Sequence, residues 1–196
     1  MDGAEALEGR VCMTAARNLG LPGEPAGEKL IDRVLRVNLA GEYGAVRIYE
    51  GQLAVLGRTS PAGAAIAHMA AQERRHLEAF ERLVPERRAR PTLLQPLWHV
   101  AGFALGAATA MLGPKGAMAC TVAVEEVIDE HYRAQIESLP DSEADLKTQL
   151  EDFRREEVEH RDEALAQGAE AAPGFELLRG AIKAGSRAAI WLSSRL

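Results

Sequence analysis

An all-α fold, a bundle of four principal helices with additional apolar or amphipathic helices, is what this sequence predicts, on three observations. Alanine, leucine, glutamate and arginine are abundant while aromatics make up only 5% of residues, which favours helices over a sandwich or barrel. Apolar residues recur at helical spacing between Gly and Pro breaks. The chain also repeats itself. Glu42, Tyr49 and Gln52 are matched at the same offsets by Glu125, Tyr132 and Gln135, and each set is followed by a Glu-x-x-His, Glu73/His76 and Glu157/His160. A fixed internal period means halves that pack as equivalent units, here two helical hairpins about a pseudo-twofold axis.

The elements follow in order. Residues 1–27 read as an irregular N-terminal segment, ending in the Gly- and Pro-rich stretch from Leu21 to Gly27, and residues 28–196 as a single domain. Leu30, Ile31, Val34 and Leu35 open a first helix that should run to about Leu56 and stop at Gly57. Ser60-Pro61 is a cap followed by a first-turn proline, so a second helix starts there and continues to about Leu83, stopped by Pro85. A basic connector with Arg87, Arg88 and Arg90 leads into the apolar run Leu97 to Leu112, which forms the crossover between hairpins. After the break at Gly113-Pro114-Lys115-Gly116, helices are expected from about Ala117 to Leu139, from the Pro140-Asp141-Ser142 turn to about Gln167, and from Phe175 to near Ser194.

Net charge of −6 argues against a general nucleic-acid binder, so no nucleic acid is expected as a partner. Two cysteines, Cys12 and Cys120, exclude a disulfide framework and suggest a reducing compartment. The acidic start (Asp2, Glu5, Glu8) is wrong for a secretory signal, so either the protein is made where it works or a presequence was removed.

The repeat carries the chemistry. Residues three apart share a helix face, so each Glu-x-x-His can direct an oxygen and a nitrogen to one point, and Glu42 and Glu125 complete the set. One Glu from each of two helices plus Glu-x-x-His from each of the other two is the arrangement of ferritin-like di-iron carboxylate bundles. Four interior carboxylates repel one another and are costly to bury, so cations must sit among them. Two divalent ions balance four carboxylates with neutral imidazoles, and oxygen and imidazole ligands without thiolate suit iron or manganese. By analogy with such bundles, Glu73 and Glu157 bridge while Glu42 and Glu125 are terminal.

A single Glu-x-x-His would ordinarily be solvated helix surface, but two copies matched to the other repeats are not. Tyr49 and Tyr132, two turns from their glutamates, suit either support of the ligands and substrate pocket or plain core packing. His131 is turned about 120° away from Glu125 and so is not expected to ligate directly. His68 and His99 lack partner motifs and read as structural or surface residues.

Two segments bear on membranes. The uncharged run from Leu97 to Leu112 is too short for a clean span and is either a buried core helix or one lying in a single leaflet. Arg179, Lys183 and Arg187 form a basic stripe on the last helix, with Leu178, Ile182, Ala189 and Leu192 on another, a pattern that favours an anionic surface.

The blocks Ala40-Gly41-Glu42-Tyr43-Gly44-Ala45, Pro96-Leu97-Trp98, Gly102-Phe103-Ala104-Leu105-Gly106, the run from Gly116 to Glu126, and Ala188-Ala189-Ile190-Trp191-Leu192-Ser193 strongly resemble the demethoxyubiquinone hydroxylase family, over about residues 31–196. That resemblance implies a membrane-bound monooxygenase with two iron ions that uses O2 and a reductant to hydroxylate a polyprenyl quinone in ubiquinone biosynthesis. Its six ligands fall on Glu42, Glu73, His76, Glu125, Glu157 and His160, and His131 and Tyr132 match a pair implicated in substrate binding or electron delivery. Leu39 and Ser186 depart from the family pattern, neither at a ligand position. The resemblance implies a peripheral protein on the cytoplasmic face of a bacterial inner membrane, or alternatively on the matrix side of the mitochondrial one, with other ubiquinone-biosynthesis proteins as partners. Two rival readings use the same residues: a ferritin-like iron store or peroxidase, and a non-catalytic scaffold of the biosynthetic complex.

Overall fold

A computed structural model describes residues 27–196; the irregular segment expected before Gly27, Cys12 included, lies outside the described residues. Six α-helices follow in order: α1 Glu28–Leu56, α2 Pro61–Glu86, α3 Gln95–Met111, α4 Pro114–Ser138, α5 Ala144–Ala166 and α6 Phe175–Ser193. Short 3-10 turns cover Asp141–Glu143 and Ala169–Ala171, and no strand occurs among the described residues. The fold is the all-α, ferritin-like bundle expected.

Local signals set most boundaries. Gly57 ends α1 at φ 68°, a conformation that a side chain would strain. Ser60 caps α2 by accepting from the Gly63 amide at 3.1 Å, and Pro61 occupies the first turn, where its missing N–H costs nothing. Two expectations need correction. Pro85 does not stop α2, which runs on to Glu86; in the last turn a proline forfeits a single backbone bond, and the Arg87 amide still reaches the Leu83 carbonyl at 2.9 Å. α4 begins at Pro114 and not near Ala117, because Gly113 at φ 92° turns the chain and Pro114 serves as a first-turn residue.

The helices form three layers. α1 and α4 lie antiparallel in the middle, so that Asn38 meets Gln135 while Gln52 reaches the Ala117 carbonyl. α2 and α5 cover one side, and α3 and α6 the other, with α3 against α1 and α6 against α4. The repeat therefore extends further than a duplicated hairpin: it is three helices long. Gly102 and Gly185, at equal offsets from Glu42 and Glu125, mark the third member of each unit. α3 sits very close to α1 because two glycines permit it. A Cβ at Gly106 would lie 1.9 Å from the Ile48 carbonyl oxygen, and one at Gly51 would lie 2.2 Å from that of Phe103.

Two apolar clusters fill the bundle. Leu53, Ile66, Met69, Met118 and Val122 pack one end, and Leu35, Phe80, Leu139, Leu146 and Leu150 the other. On each of α1, α2, α4 and α5 the repeated Glu and His residues fall between these clusters, so the acidic site is walled by hydrocarbon at both ends.

The outer layer breaks the usual pattern. The exposed edge of α3 carries Leu97, Val100, Ala101, Ala104, Ala108 and Met111, and that of α6 carries Leu177, Ala181, Ala184, Ala188 and Trp191, all at helical spacing and none charged. Water-facing helix edges are normally polar. The run from Leu97 to Leu112 is thus neither wholly core nor a span: Gly102, Gly106, Thr109 and Ala110 are buried while the opposite edge is exposed. Among the described residues no helix is long and apolar enough to cross a membrane. The basic stripe of α6 also differs from expectation. Arg179 and Lys183 pair with Glu126 at 2.7 Å, and Arg187 with Glu130 at 2.8 Å, so these cations bind α6 to α4 and do not form a free basic face.

Candidate metal centre

All six repeated carboxylate and imidazole residues converge at the centre of the bundle, each at most 4% exposed. They form two overlapping groups, Glu42, Glu73, His76, Glu157 and Glu73, Glu125, Glu157, His160, with the potential ligand atoms of each within 4.8 Å of one another. Glu73 and Glu157 belong to both, and the atoms explain why. Glu157 sets Oε1 3.0 Å from His76 Nδ1 and Oε2 3.2 Å from His160 Nδ1. Glu73 sets Oε2 4.0 Å from His76 Nδ1 and Oε1 3.1 Å from His160 Nδ1. Each of these carboxylates turns one oxygen toward each histidine, the orientation that two neighbouring ions require of a shared ligand. Glu42 joins the His76 group alone, with Oε2 3.5 Å from Nδ1, and Glu125 the His160 group alone.

The electrostatics fit cations at this place. Burial pushes the Glu73 and Glu125 carboxyls well above the carboxylate range, reinforced by the Glu157 charge. Burial also opposes ionisation of Glu157, yet hydrogen bonds from His160 and His76 overcome it and bring that group down to about 2. Both imidazoles resist charging through burial, but their carboxylate partners lift His76 to about 12 and His160 to about 11. Protons thus take the place that divalent ions would fill. Glu73 Oε1 is buried and makes no well-aligned hydrogen bond, its close polar neighbour being His160 Nδ1 at 3.1 Å.

The tyrosines cross over. Tyr49 on α1 donates to Glu125 Oε1 on α4 at 2.9 Å, and Tyr132 on α4 donates to Glu42 Oε1 on α1. Burial, then the surrounding carboxylates, raises both phenols well above their usual range, so they remain protonated donors. His131 stands apart from the ligand groups, next to Gln135 at 2.7 Å, and burial followed by the Arg33 charge lowers it to about 4. Gln135 and the buried Asn38 exchange two hydrogen bonds of 3.0 and 2.9 Å, so a polar chain runs from His131 across α4 to α1. His68 is exposed, and the exposed His99 sets Nδ1 2.6 Å from the Tyr43 hydroxyl.

Sequence reasoning missed Gln72 and Glu156, which touch the site histidines from outside, and Asn38, which pairs with Gln135. Gln72 and Glu156 each stand one residue before a repeated glutamate, a signal the spacing contained.

An apolar cavity of about 340 Å³ lies between the α3/α6 layer and the α1/α4 layer. Its floor includes Gly41 and Gly44 beside Glu42, and Val124 beside Glu125; its outer wall includes Trp98 and Ala189. A second cavity of about 370 Å³ is bounded by Arg33, His131, Gln135 and Arg187, and shares Val37 and Ile190 with the first.

Residues 29–193 match the family described as Ubiquinone biosynthesis protein COQ7. The 3-demethoxyubiquinol 3-hydroxylase of Rhodospirillum rubrum is 62% identical over 176 residues, 90% of this chain and 83% of the relative. The human mitochondrial NADPH-dependent 3-demethoxyubiquinone 3-hydroxylase is 50% identical over 192 residues, 96% and 88% of the two chains. The mitochondrial 5-demethoxyubiquinone hydroxylase of Saccharomyces cerevisiae is 39% identical over 182 residues, 85% and 78% of the two chains. With the repeated Glu and His residues gathered in a helical bundle and this similarity spanning most of both chains, the protein belongs to the COQ7 family of ubiquinone biosynthesis.

Proposed function

We propose that the chain is a di-iron monooxygenase that hydroxylates the benzoquinone ring of a polyprenylated demethoxyubiquinone, or its quinol, while resting on a membrane surface. The observation that carries this reading is the apolar cavity whose floor is made by the immediate neighbours of Glu42 and Glu125. A ring entering between α3 and α6 would stop one helix wall from the acidic cluster, and its isoprenoid tail would leave along the exposed apolar edges of the same helices.

Glu42, Glu73, His76 and Glu157 would hold one iron, and Glu73, Glu125, Glu157 and His160 the other. Iron held there would supply reductive activation of O2, a hydroxylation whose balance is one oxygen atom to the ring carbon and one to water for two electrons and two protons. The protein's own residues supply placement and dryness. Tyr49 and Tyr132 fix the carboxylates of Glu125 and Glu42 by hydrogen bonds, and the apolar clusters at both ends keep water from the reacting ring.

Gly41 and Gly44 support the substrate reading independently. Each lies inside α1, where glycine costs about 0.5–1 kcal/mol relative to alanine. Neither has any atom within 4 Å of the position a Cβ would take, so neither is required by close packing. Both line the cavity, and the stability forgone keeps it open. The exposed edges of α3 and α6 suit one leaflet of a bilayer, with Trp191 at the boundary and the Arg195 guanidinium stacked 4.0 Å from its ring centre.

The test is to supply the iron-loaded protein with a short-tailed demethoxyubiquinol, a reductant and isotopically labelled O2. A product heavier by one labelled oxygen atom on the ring is expected. Iron oxidation without a ring product would favour an iron store or peroxidase, and a protein that takes up no iron would favour a scaffold.

A further inference from the structure

The two inner histidines are held differently on their outer sides. His76 Nε2 lies 2.9 Å from Glu156 Oε2, whereas His160 Nε2 lies 3.1 Å from Gln72 Oε1. Gln72 precedes Glu73 and Glu156 precedes Glu157, so these are the same position of the repeat, each reaching across the α2/α5 boundary to the other helix's histidine. One repeat places a carboxylate there and the other an amide. Gln72 Nε2 donates to Glu156 Oε2 at 3.4 Å, which joins both histidines in one hydrogen-bonded strap. Arg75 also donates to Glu156 at 3.0 Å, from an exposed position where solvent screens its charge.

In both cases the outer partner is an oxygen that accepts, so each imidazole keeps a proton on Nε2 and, once the inner proton is shed to a metal, offers the Nδ1 lone pair inward. The strap therefore sets the tautomer and the ring orientation that metal binding needs. It does so with unequal strength, because a carboxylate pulls harder on the Nε2 proton than an amide oxygen and leaves Nδ1 more basic. A crossed tyrosine on each terminal carboxylate and shared oxygens from Glu73 and Glu157 occur on both sides, while Phe153 stacks on the His76 ring alone, at 4.1 Å.

We propose that Glu156 and Gln72 are positioning residues that make the two iron positions unequal, with the His76 position binding its ion more tightly than the His160 position. This inference rests on the di-iron reading. Its basis is the identity of the two outer partners, a carboxylate against an amide at equivalent places in the repeat.

The experiment titrates metal-free full-length protein with ferrous iron under anaerobic conditions, using chelator competition for the two affinities and Mössbauer spectra for the two environments. The wild-type chain is expected to bind two irons that give distinct spectra. Glu156→Gln should weaken the tighter iron about tenfold, leave the weaker one nearly unchanged, and bring the two spectra together. Gln72→Glu should reach the same convergence from the other side, by tightening the weaker iron. The second variant keeps the test decisive if the first folds poorly. Equal losses at both irons in Glu156→Gln would reveal a merely structural strap and overturn the inference, as would wild-type affinities and spectra in both variants. Absence of any two-iron uptake by the wild-type chain would instead overturn the metal assignment itself.

Discussion

Tyr49 donates its phenol proton across the bundle axis to Glu125, 2.9 Å away on α4, and makes no such bond to Glu42 on its own helix. With Tyr132 doing the reverse to Glu42, the pair fastens α1 to α4 through the very carboxylates that differ between the two candidate ligand groups. Tyr49→Phe and Tyr132→Phe keep the packing of the ring but release one terminal carboxylate each. Each substitution should lower the stability of the metal-free protein by about 1 kcal/mol, the net worth of one buried hydrogen bond. It should also weaken iron binding about tenfold, as loss of an outer partner of a metal ligand does. Thermal melts of the metal-free chain and chelator competition with ferrous iron check the two effects separately.

Stability of the metal-free protein and the increment that iron adds to it should depend on pH with opposite sign. In the metal-free protein His76 and His160 are raised to about 12 and about 11. Their stabilising contribution is full below the unfolded value of about 6.5 and is lost as pH rises toward the folded values. Glu73 and Glu125 are also raised, so the folded chain holds protons there that the unfolded chain has released above about pH 4, and stability falls with rising pH for the same reason. Glu157, lowered to about 2, works the other way but only in acid, where its contribution fades as pH falls through its folded value. Between about pH 6 and about pH 8 the melting temperature of the metal-free protein should therefore drop. The rise in melting temperature on adding ferrous iron should grow over the same window, because the ligands must shed protons to bind it. Paired melts across that range measure both slopes, and a metal-free protein that gains stability with pH would contradict the buried protonated cluster.

Much of this centre was legible in the sequence because helical geometry is stiff. The three-residue step of Glu-x-x-His fixes a face, and two copies at matching offsets from Glu42 and Glu125 leave few ways to place six side chains. The crossing of Tyr49 to Glu125 was not legible, since periodicity gives direction around one helix but not which neighbour a long side chain will meet. The same gap hid the outer strap: the histidine contacts of Gln72 and Glu156 show only once α2 and α5 are brought together. Arg179, Lys183 and Arg187 looked like a free basic face because their partners, Glu126 and Glu130, lie about fifty residues earlier on another helix. The third helix of each repeat left only a faint trace, Gly102 and Gly185, since small residues on apolar helices carry little periodic signal.

Attachment to lipid should be separable from folding. Val100 is 65% exposed and Leu177 81% exposed on the uncharged edges of α3 and α6, so replacing either by lysine removes no buried contact and should change stability by no more than about 0.5 kcal/mol. Val100→Lys/Leu177→Lys should nevertheless reduce sedimentation with phospholipid vesicles several-fold, as the charged edge resists entry into the acyl region. Iron uptake, which depends on residues on the far side of α1 and α4, should be unchanged. Equal vesicle binding by the double variant would remove the support that these two edges give to the membrane reading.

Gly44 offers the sharpest separation of metal and substrate. It sits two residues from Glu42 inside α1 and so on nearly the opposite face, lines the apolar cavity, and has open space where a Cβ would lie. Gly44→Ala should therefore stabilise the chain by about 0.5–1 kcal/mol through helix propensity, the opposite of what substitution of a close-packed glycine such as Gly106 would do. Gly44→Leu should keep the iron content of the wild type while filling the floor of the cavity, raising KM for a short-tailed demethoxyubiquinol at least tenfold. Because the substituted side chain points away from the acidic cluster and into the cavity, a loss of iron in Gly44→Leu would mean that the helix had shifted. Unaltered KM with full iron would place the ring elsewhere. Steady-state kinetics with metal analysis on the same preparations distinguishes these outcomes.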